Sequence, residues 1–319
     1  LTHHSSAQYQ GRHSDQVAIL LSTYNGAAFL AEQLDSLIAQ THPHWTIYAS
    51  DDGSSDATLE ILADYQKRLG ADRLIIVDGP RRGFAANFLS LLAREEVQGA
   101  YFAFCDQDDF WKPERLATGI DWIRTIPQER PALFCSRTEL IDAQGNTIGF
   151  SPLFRKPACF ENALVQSIAG GNTMLFNRAA RDLLRQTKDA SHVVSHDWWA
   201  YILVTGCGGE VNCAPTPTIG YRQHGNNIVG SNSSLGDRLV RVRKMFQGTF
   251  RAWTDDNLRA LSAFRDRLSP ENQATLKLFE QGRKAGLLAR LILIRQSGVH
   301  RQTLPGTLGL AAAAILQRI

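Results

Sequence analysis

Short apolar runs alternate with stretches of helical period through the first 125 positions. Val17-Ala18-Ile19-Leu20-Leu21 is a continuous apolar run that ends at Ser22-Thr23-Tyr24-Asn25-Gly26, the pattern of a buried strand and its turn. Between residues 28 and 40, Leu30, Leu34, Leu37 and Ile38 recur at helical spacing, and Pro43 closes the stretch. Residues 45–49, 73–77 and 101–105 read as further strands; residues 57–69 and 84–94 read as the helices between them. Strand and helix in strict alternation predict a parallel sheet with helices on both faces.

The second half is more mixed. Residues 133–141 read as a strand, with Ala143-Gln144-Gly145-Asn146 as a hairpin turn. Gly170-Gly171-Asn172-Thr173 precedes a short apolar stretch, and His196-Asp197-Trp198-Trp199 opens a helix that ends near Gly206. Residues 211–220 contain Pro215 and Pro217 and are at best an edge strand. Beyond Leu235 only helices are expected, with breaks at Pro270 and Pro305. This gives three parts: a polar lead over 1–16 without the apolar core of a signal peptide, a catalytic body over 17–234, and a basic helical region over 235–319.

Composition excludes several classes. At 44% hydrophobic and 20% charged residues the chain is neither disordered nor dominated by membrane spans. Five cysteines form no CxxC pair, so reduced cytosolic thiols are expected rather than a zinc site or a disulfide frame. The net charge of +3 is unevenly spread, because residues 235–319 carry 15 Lys/Arg against 6 Asp/Glu. A basic tail on an acidic body suits an anionic surface; a solvated helical face is the plainer alternative. No nucleic-acid motif accompanies the charge, and no nucleic-acid partner is expected.

The polar residues gather where strands end, which in open α/β sheets is where ligands bind. Neither a Walker lysine nor a G-x-G-x-x-G occurs among them, which disfavours a P-loop or dinucleotide-binding enzyme. Asp106-Gln107-Asp108-Asp109 sets three carboxylates after a buried strand. Such crowding invites a hard divalent cation that could bridge to phosphate, although a solvated acidic turn has the same composition. Asp51 lies nearest the end of its strand and can accept an imide N–H, while Ser55 or Asp56 can cap the following helix.

Taken in order, Leu21-Ser22-Thr23-Tyr24-Asn25-Gly26, Ser50-Asp51-Asp52-Gly53-Ser54-Ser55-Asp56 and Asp106-Gln107-Asp108-Asp109 resemble the nucleotide-binding half of the family 2 glycosyltransferases. The resemblance covers roughly residues 17–230. It implies a GT-A fold: an α/β nucleotide-diphospho-sugar transferase fold with a Rossmann-like mixed, mainly parallel sheet, here followed by a helical C-terminal extension. Phe84-Ala85-Ala86-Asn87-Phe88, Asp106 to Trp111 and Tyr221-Arg222-Gln223-His224-Gly225-Asn226-Asn227 are similar to the bacterial rhamnosyltransferase-like branch.

The resemblance also implies roles. Thr23, Tyr24 and Asn25 would line the base and ribose pocket, with Asp51 on the base and Asp106 near the ribose or sugar. Asp108 would hold Mn²⁺ or Mg²⁺ on the diphosphate, with His224 completing the site and Arg222 contacting the diphosphate. Gly170, Gly171 and Asn172 would flank the acceptor, and Trp198 and Trp199 would be part core, part sugar platform. Asp197 would be the general base of an inverting transfer; His196 stands where the family usually has Glu, and its role is open. The implied donor is dTDP-rhamnose or a UDP-sugar, and the implied acceptor a saccharide or lipid-linked saccharide at the cytoplasmic face. A sugar nucleotidyltransferase and an inactive carbohydrate-binding relic are the competing readings. Leu287, Leu288, Leu291, Ile292 and Ile294 beside Arg283, Lys284, Arg290 and Arg295 suggest peripheral docking to an anionic membrane; packing on the body or in a homo-oligomer is the alternative.

Overall fold

The computed structural model describes residues 15–187, 193–224 and 249–319. Among these residues nine strands form one mixed sheet: β1 (Val17–Thr23), β2 (Trp45–Asp51), β3 (Leu74–Asp78), β4 (Tyr101–Cys105), β5 (Phe110–Trp111), β6 (Ala132–Ile141), β7 (Thr147–Phe150), β8 (Leu175–Asn177) and β9 (Glu210–Arg222). Their order is β3-β2-β1-β4-β8-β6-β9-β5, with β7 paired to β6. The first four are parallel neighbours, as the alternation predicts; beyond β4 the sheet turns antiparallel at β8.

β1 is central, and successive side chains point to opposite faces. Val17, Ile19 and Leu21 join one core with Leu30, Leu34 and Leu37 of α1 (Leu30–Ile38), Leu62 of α2 (Thr58–Leu69) and Leu116 and Ile120 of α4 (Arg115–Ile123). Ala18 and Leu20 join the other, with Phe88, Leu91 and Leu92 of α3 (Phe84–Ala93) and Trp199 of α7 (His196–Gly206). Between them lie the short helices α5 (Phe160–Ala163) and α6 (Arg178–Leu184), the latter capped by the Asn177 side chain.

The described C-terminal region is helical as expected: α8 (Thr249–Leu261), a 3₁₀ segment at Ser262–Arg267, α9 (Pro270–Lys284), α10 (Leu287–Gln296) and α11 (Leu304–Ile315). Pro270 and Pro305 lie in first helical turns, where the missing N–H costs nothing, behind Ser269 and Thr303 as capping residues. Leu258, Leu261, Phe264, Leu276 and Phe279 share the core that holds Trp199, so these helices are built onto the catalytic body. The boundary placed between residues 234 and 235 lies outside the described residues, as do residues 1–14 of the lead.

The edge-strand expectation holds for the stretch with Pro215 and Pro217, which among the described residues has only β6 beside it; β5 joins the other side of β9 at Ile219 and Gly220 alone. The register jumps from Ser136↔Ala214 to Thr138↔Ile219, so both prolines fall in residues that bulge out of the ladder. A proline without an N–H is tolerated there because no ladder bond is required of it.

Candidate active site

The register fixes the site. Thr23 lies beside Asp51, and Leu21 beside Cys105, so the chain leaves β1, β2 and β4 at one edge of the sheet. β8 runs antiparallel to β4, which brings the 3₁₀ turn Gly171–Thr173 to that same edge. The far end of β9 arrives there as well, with Gly220 opposite Phe110.

Asp51 is buried and its carboxylate is saturated by its own neighbourhood. Oδ1 accepts from the Gly53 and Ser54 N–H groups (3.0 and 2.7 Å), and Oδ2 from the hydroxyls of Thr23 (2.9 Å) and Ser54 (2.6 Å). Thr23, also buried, thereby supports the turn from within. Asp52 does likewise for the loop before α3, accepting the N–H groups of Arg81 (2.6 Å) and Gly83 (2.8 Å). Asn25 has a positive φ of 49°, and its side chain accepts the Ser55 N–H at 2.8 Å. Asp56 accepts the Thr58 N–H at the first turn of α2 and the Ala27 N–H at 3.1 Å. The side chain of Tyr24 is left exposed at the rim.

The four residues after β4 form a turn and take different directions. Gln107 turns back and grips Tyr24 at both backbone groups, accepting from its N–H (2.8 Å) and donating to its carbonyl (3.0 Å). A Cβ on Gly26 would overlap Oε1 of Gln107 and stand 2.5 Å from Cδ, so glycine is needed for this approach. Asp109 turns into the protein, where it accepts from Asn172 Nδ2 (2.6 Å) and the Arg222 N–H (3.3 Å). Burial, then the nearby Asp108 and Asp106, push its carboxyl well above the usual range. Asp106 and Asp108 remain at the cleft. Burial pushes the Asp106 carboxyl up to about 8, and the charges of Asp108 and Asp197 add to the shift. Asp108 Oδ2 lies 2.8 Å from His224 Nε2.

Asp197 sits in the first turn of α7 and accepts the Trp198 N–H at 2.6 Å, so it is partly a helix-start residue as well as a cleft carboxylate. His196 faces inward. Its ring stacks on Phe88 at 4.0 Å and meets Phe104 edge-on at 4.6 Å. Neither ring nitrogen has a hydrogen-bond partner among the described residues, and burial holds its pKa down to about 4 against the raising influence of Asp197.

Three expectations change in this geometry. Trp198 and Trp199 are both core: their indole N–H groups donate to the Ala163 carbonyl (2.6 Å) and the Thr187 hydroxyl (2.8 Å), and neither ring faces the cleft as a sugar platform. Arg222 is 1% exposed. Its guanidinium donates to the carbonyls of Asp108 (3.1 Å) and Ala143 (2.9 Å) and pairs with Glu32 at 2.7 Å, so it braces the acidic loop instead of offering itself to a diphosphate. Asn172 is buried and serves Asp109, while Gly170 is exposed and Gly171 buried beside it. Gly225, Asn226 and Asn227 lie outside the described residues.

Two supports escaped the sequence reading. Arg115 is buried, lies 3.5 Å over the Trp111 ring and donates to the Asn172 carbonyl at 2.6 Å, locking the 170–174 turn to β4. Gln107 is the other; it lies in the turn after β4, and no pattern in the sequence marks it as the residue that holds Tyr24.

The family model for "Glycosyl transferase family 2" matches residues 18–183, just over half of the chain. The chain belongs to glycosyl transferase family 2. Among its relatives are the dTDP-rhamnosyl transferase RfbG of Shigella flexneri (28% identical, over 70% of this chain and 78% of that one) and TuaG of Bacillus subtilis (strain 168), named for teichuronic acid biosynthesis (29%, over 51% and 62%). In structure the chain is similar to TarS 1–349 of S. aureus in complex with UDP-GlcNAc (TM-score 0.54, 14% identical, 89% of this chain and 88% of that one). It is also similar to the mannosyltransferase PcManGT of Pyrobaculum calidifontis with GDP-Man and Mn²⁺ (TM-score 0.50, 17% identical, 95% and 85%). The fold is that of the GT-A glycosyltransferases.

Proposed function

We propose that this family 2 glycosyltransferase moves a sugar, with inversion, from a nucleotide diphosphate donor to a saccharide or lipid-linked acceptor in bacterial surface polysaccharide synthesis. The observation that carries the reading is the Asp108–His224 contact at the strand ends, with Asp106 and Asp197 near enough for their charges to act on one another. The leading donor is dTDP-rhamnose, a choice supported by the likeness to RfbG; UDP-sugars are the alternative.

In this reading the exposed Tyr24 and Asn25, on turns fixed by Asp51 and Asp52, receive the base and ribose, with Asp106 below the ribose or sugar. Asp51 acts on the base through the shape of its turn more than through a free oxygen, since four donors already use it. Asp197 takes the proton of the acceptor hydroxyl, which then attacks the anomeric carbon from the face opposite the diphosphate. Gly170, exposed at the turn, lets the acceptor approach backbone closely, while Gly171 is packed against His196.

The cleft residues fit a divalent cation, Mn²⁺ or Mg²⁺. Asp108 Oδ2 and His224 Nε2 are 2.8 Å apart, close to the spacing of two ligands each about 2.1 Å from one octahedral ion. Burial, and then the charges of Asp108 and Asp197, raise the Asp106 carboxyl, which supports a cation here. Among the described residues no group of three or more His, Cys, Asp or Glu could hold an ion by itself, so the remaining ligands would be phosphate oxygens and water. When bound, such an ion supplies charge stabilisation to the departing nucleoside diphosphate.

A screen of nucleotide sugars against saccharide acceptors, scored by nucleoside diphosphate release and product mass, tests the assignment. Release of dTDP with a product heavier by one deoxyhexose is expected. Release of inorganic diphosphate from a nucleoside triphosphate and a sugar phosphate would make the chain a nucleotidyltransferase instead.

A further inference from the structure

Helix α10 packs Leu291 and Ile294 on the core yet leaves other large apolar side chains outside. Its buried side chains are Ile294 and Arg290, the latter 2% exposed. The Arg290 guanidinium donates to the Ala314 carbonyl at 3.0 Å and to the Ala285 carbonyl at 2.6 Å, tying α10 to the C-terminal ends of α11 and α9. Its outer face carries Leu287, Leu288 and Ile292, with Leu288 76% exposed. Helix α11 repeats the arrangement. Ala313 and Ala314 point inward, while Leu304 (71% exposed), Leu308 (62%) and Ile315 lie outward at helical spacing, followed by Leu316. Single exposed leucines need no explanation, but seven large apolar side chains on two joined helices mark an interaction surface.

Charge selects the occupant. Residues 281–319 contain Arg283, Lys284, Arg290, Arg295, Arg301 and Arg318 and no acidic residue. Lys284, Arg295 and Arg318 are exposed on or beside the two helices. A second copy docked face to face would bring two such basic surfaces together, which is unfavourable. An anionic bilayer offers opposite charge at its surface and hydrocarbon directly below it. No helix among the described residues is long and apolar enough to cross a membrane, so the contact would be interfacial.

We propose that α10 and α11 form a membrane-docking surface that seats its leucines and isoleucines in an anionic phospholipid bilayer, with Lys284, Arg295 and Arg318 at the headgroups. This goes beyond the catalytic reading and does not rest on it, because neither helix contributes a residue to the cleft.

Flotation of the full chain with phosphatidylglycerol/phosphatidylcholine vesicles tests the proposal. Binding is expected at low salt and should fall at least about tenfold on pure phosphatidylcholine or in high salt. The double variant Leu288→Glu/Leu308→Glu, at exposed positions, should lose vesicle binding about tenfold or more while keeping its melting temperature. If that variant does not fold, Lys284→Gln/Arg295→Gln/Arg318→Gln should show the same loss. Failure of the parent to float at low salt, or undiminished flotation of the folded variants, overturns the proposal. A parent dimer by light scattering that the leucine variant converts to monomer would overturn it too, making the face a subunit interface.

Discussion

Gly171 and His196 are fitted to one another: a Cβ on Gly171 would overlap Nε2 of the imidazole and stand 3.0 Å from Cε1. The ring cannot retreat, because Phe88 stacks on it at 4.0 Å and Phe104 meets it at 4.6 Å. Histidine 196 therefore works as a wedge between the aromatic core and the 170–172 turn, and it sets where the next residue, Asp197, enters the cleft.

Gly171→Ala is expected to cost about 1–3 kcal/mol of stability through overpacking. Adding His196→Ala to Gly171→Ala should recover part of the loss, giving a coupling of at least about 0.5 kcal/mol in denaturant titrations. Strictly additive losses would show that the ring gives way freely.

His196 also predicts a pH dependence. Its pKa is about 4 in the folded protein against 6.5 as a free side chain, so the unfolded chain binds the extra proton between these values. Stability should therefore rise as pH increases from about 4 to about 6.5 and be lost as pH falls through that window, by about 3 kcal/mol from this group. Denaturant midpoints across the window should change less steeply for His196→Leu than for the parent. Equal slopes would show that His196 is not the titrating group.

Asp197→Asn is nearly isosteric and a far weaker proton acceptor. Turnover should drop at least about 10²-fold with donor nucleotide affinity kept. A parallel loss of both would assign Asp197 to binding or to the start of α7.

Asp108→Ala and His224→Ala should each lower turnover at least about 10²-fold, and chelation of the parent should mimic them. Full turnover in excess chelator removes the metal from the reading.

Gln107→Ala removes both bonds to the Tyr24 backbone and should raise the donor KM several-fold, on the scale of about 1–2 kcal/mol, with kcat little changed. An unchanged KM would mean that the turn holds its shape without the clamp.

The donor half was legible because its strands are buried on both faces and read as uninterrupted apolar runs, as Val17 to Leu21 do. Pro215 and Pro217 marked the open side of β9 correctly, but not the bulge that carries them or the short pairing with β5 at Ile219 and Gly220. Trp198 and Trp199 were ambiguous for a different reason. An indole next to a cleft carboxylate serves a sugar or a core equally well, and only the Ala163 and Thr187 oxygens decide it. Arg222 could not be oriented, since its carbonyl partners come from loops about 80 and 114 residues away in the chain. The split of residues 106–109 was not readable, because they form a turn in which no two-residue period holds.

The bonds of Asp109 bear on how the protein is made. One partner, Asn172, lies 63 residues further along, and the other, the Arg222 backbone, 113. During synthesis the N-terminal strands emerge first and can pair among themselves, each beside its parallel neighbour. The carboxyl behind the cleft nevertheless waits for β9, close to the end of the catalytic body. A nascent chain thus acquires its nucleotide-side turns early and its braced acidic loop late, and a chain cut short before β9 would retain the former without the latter.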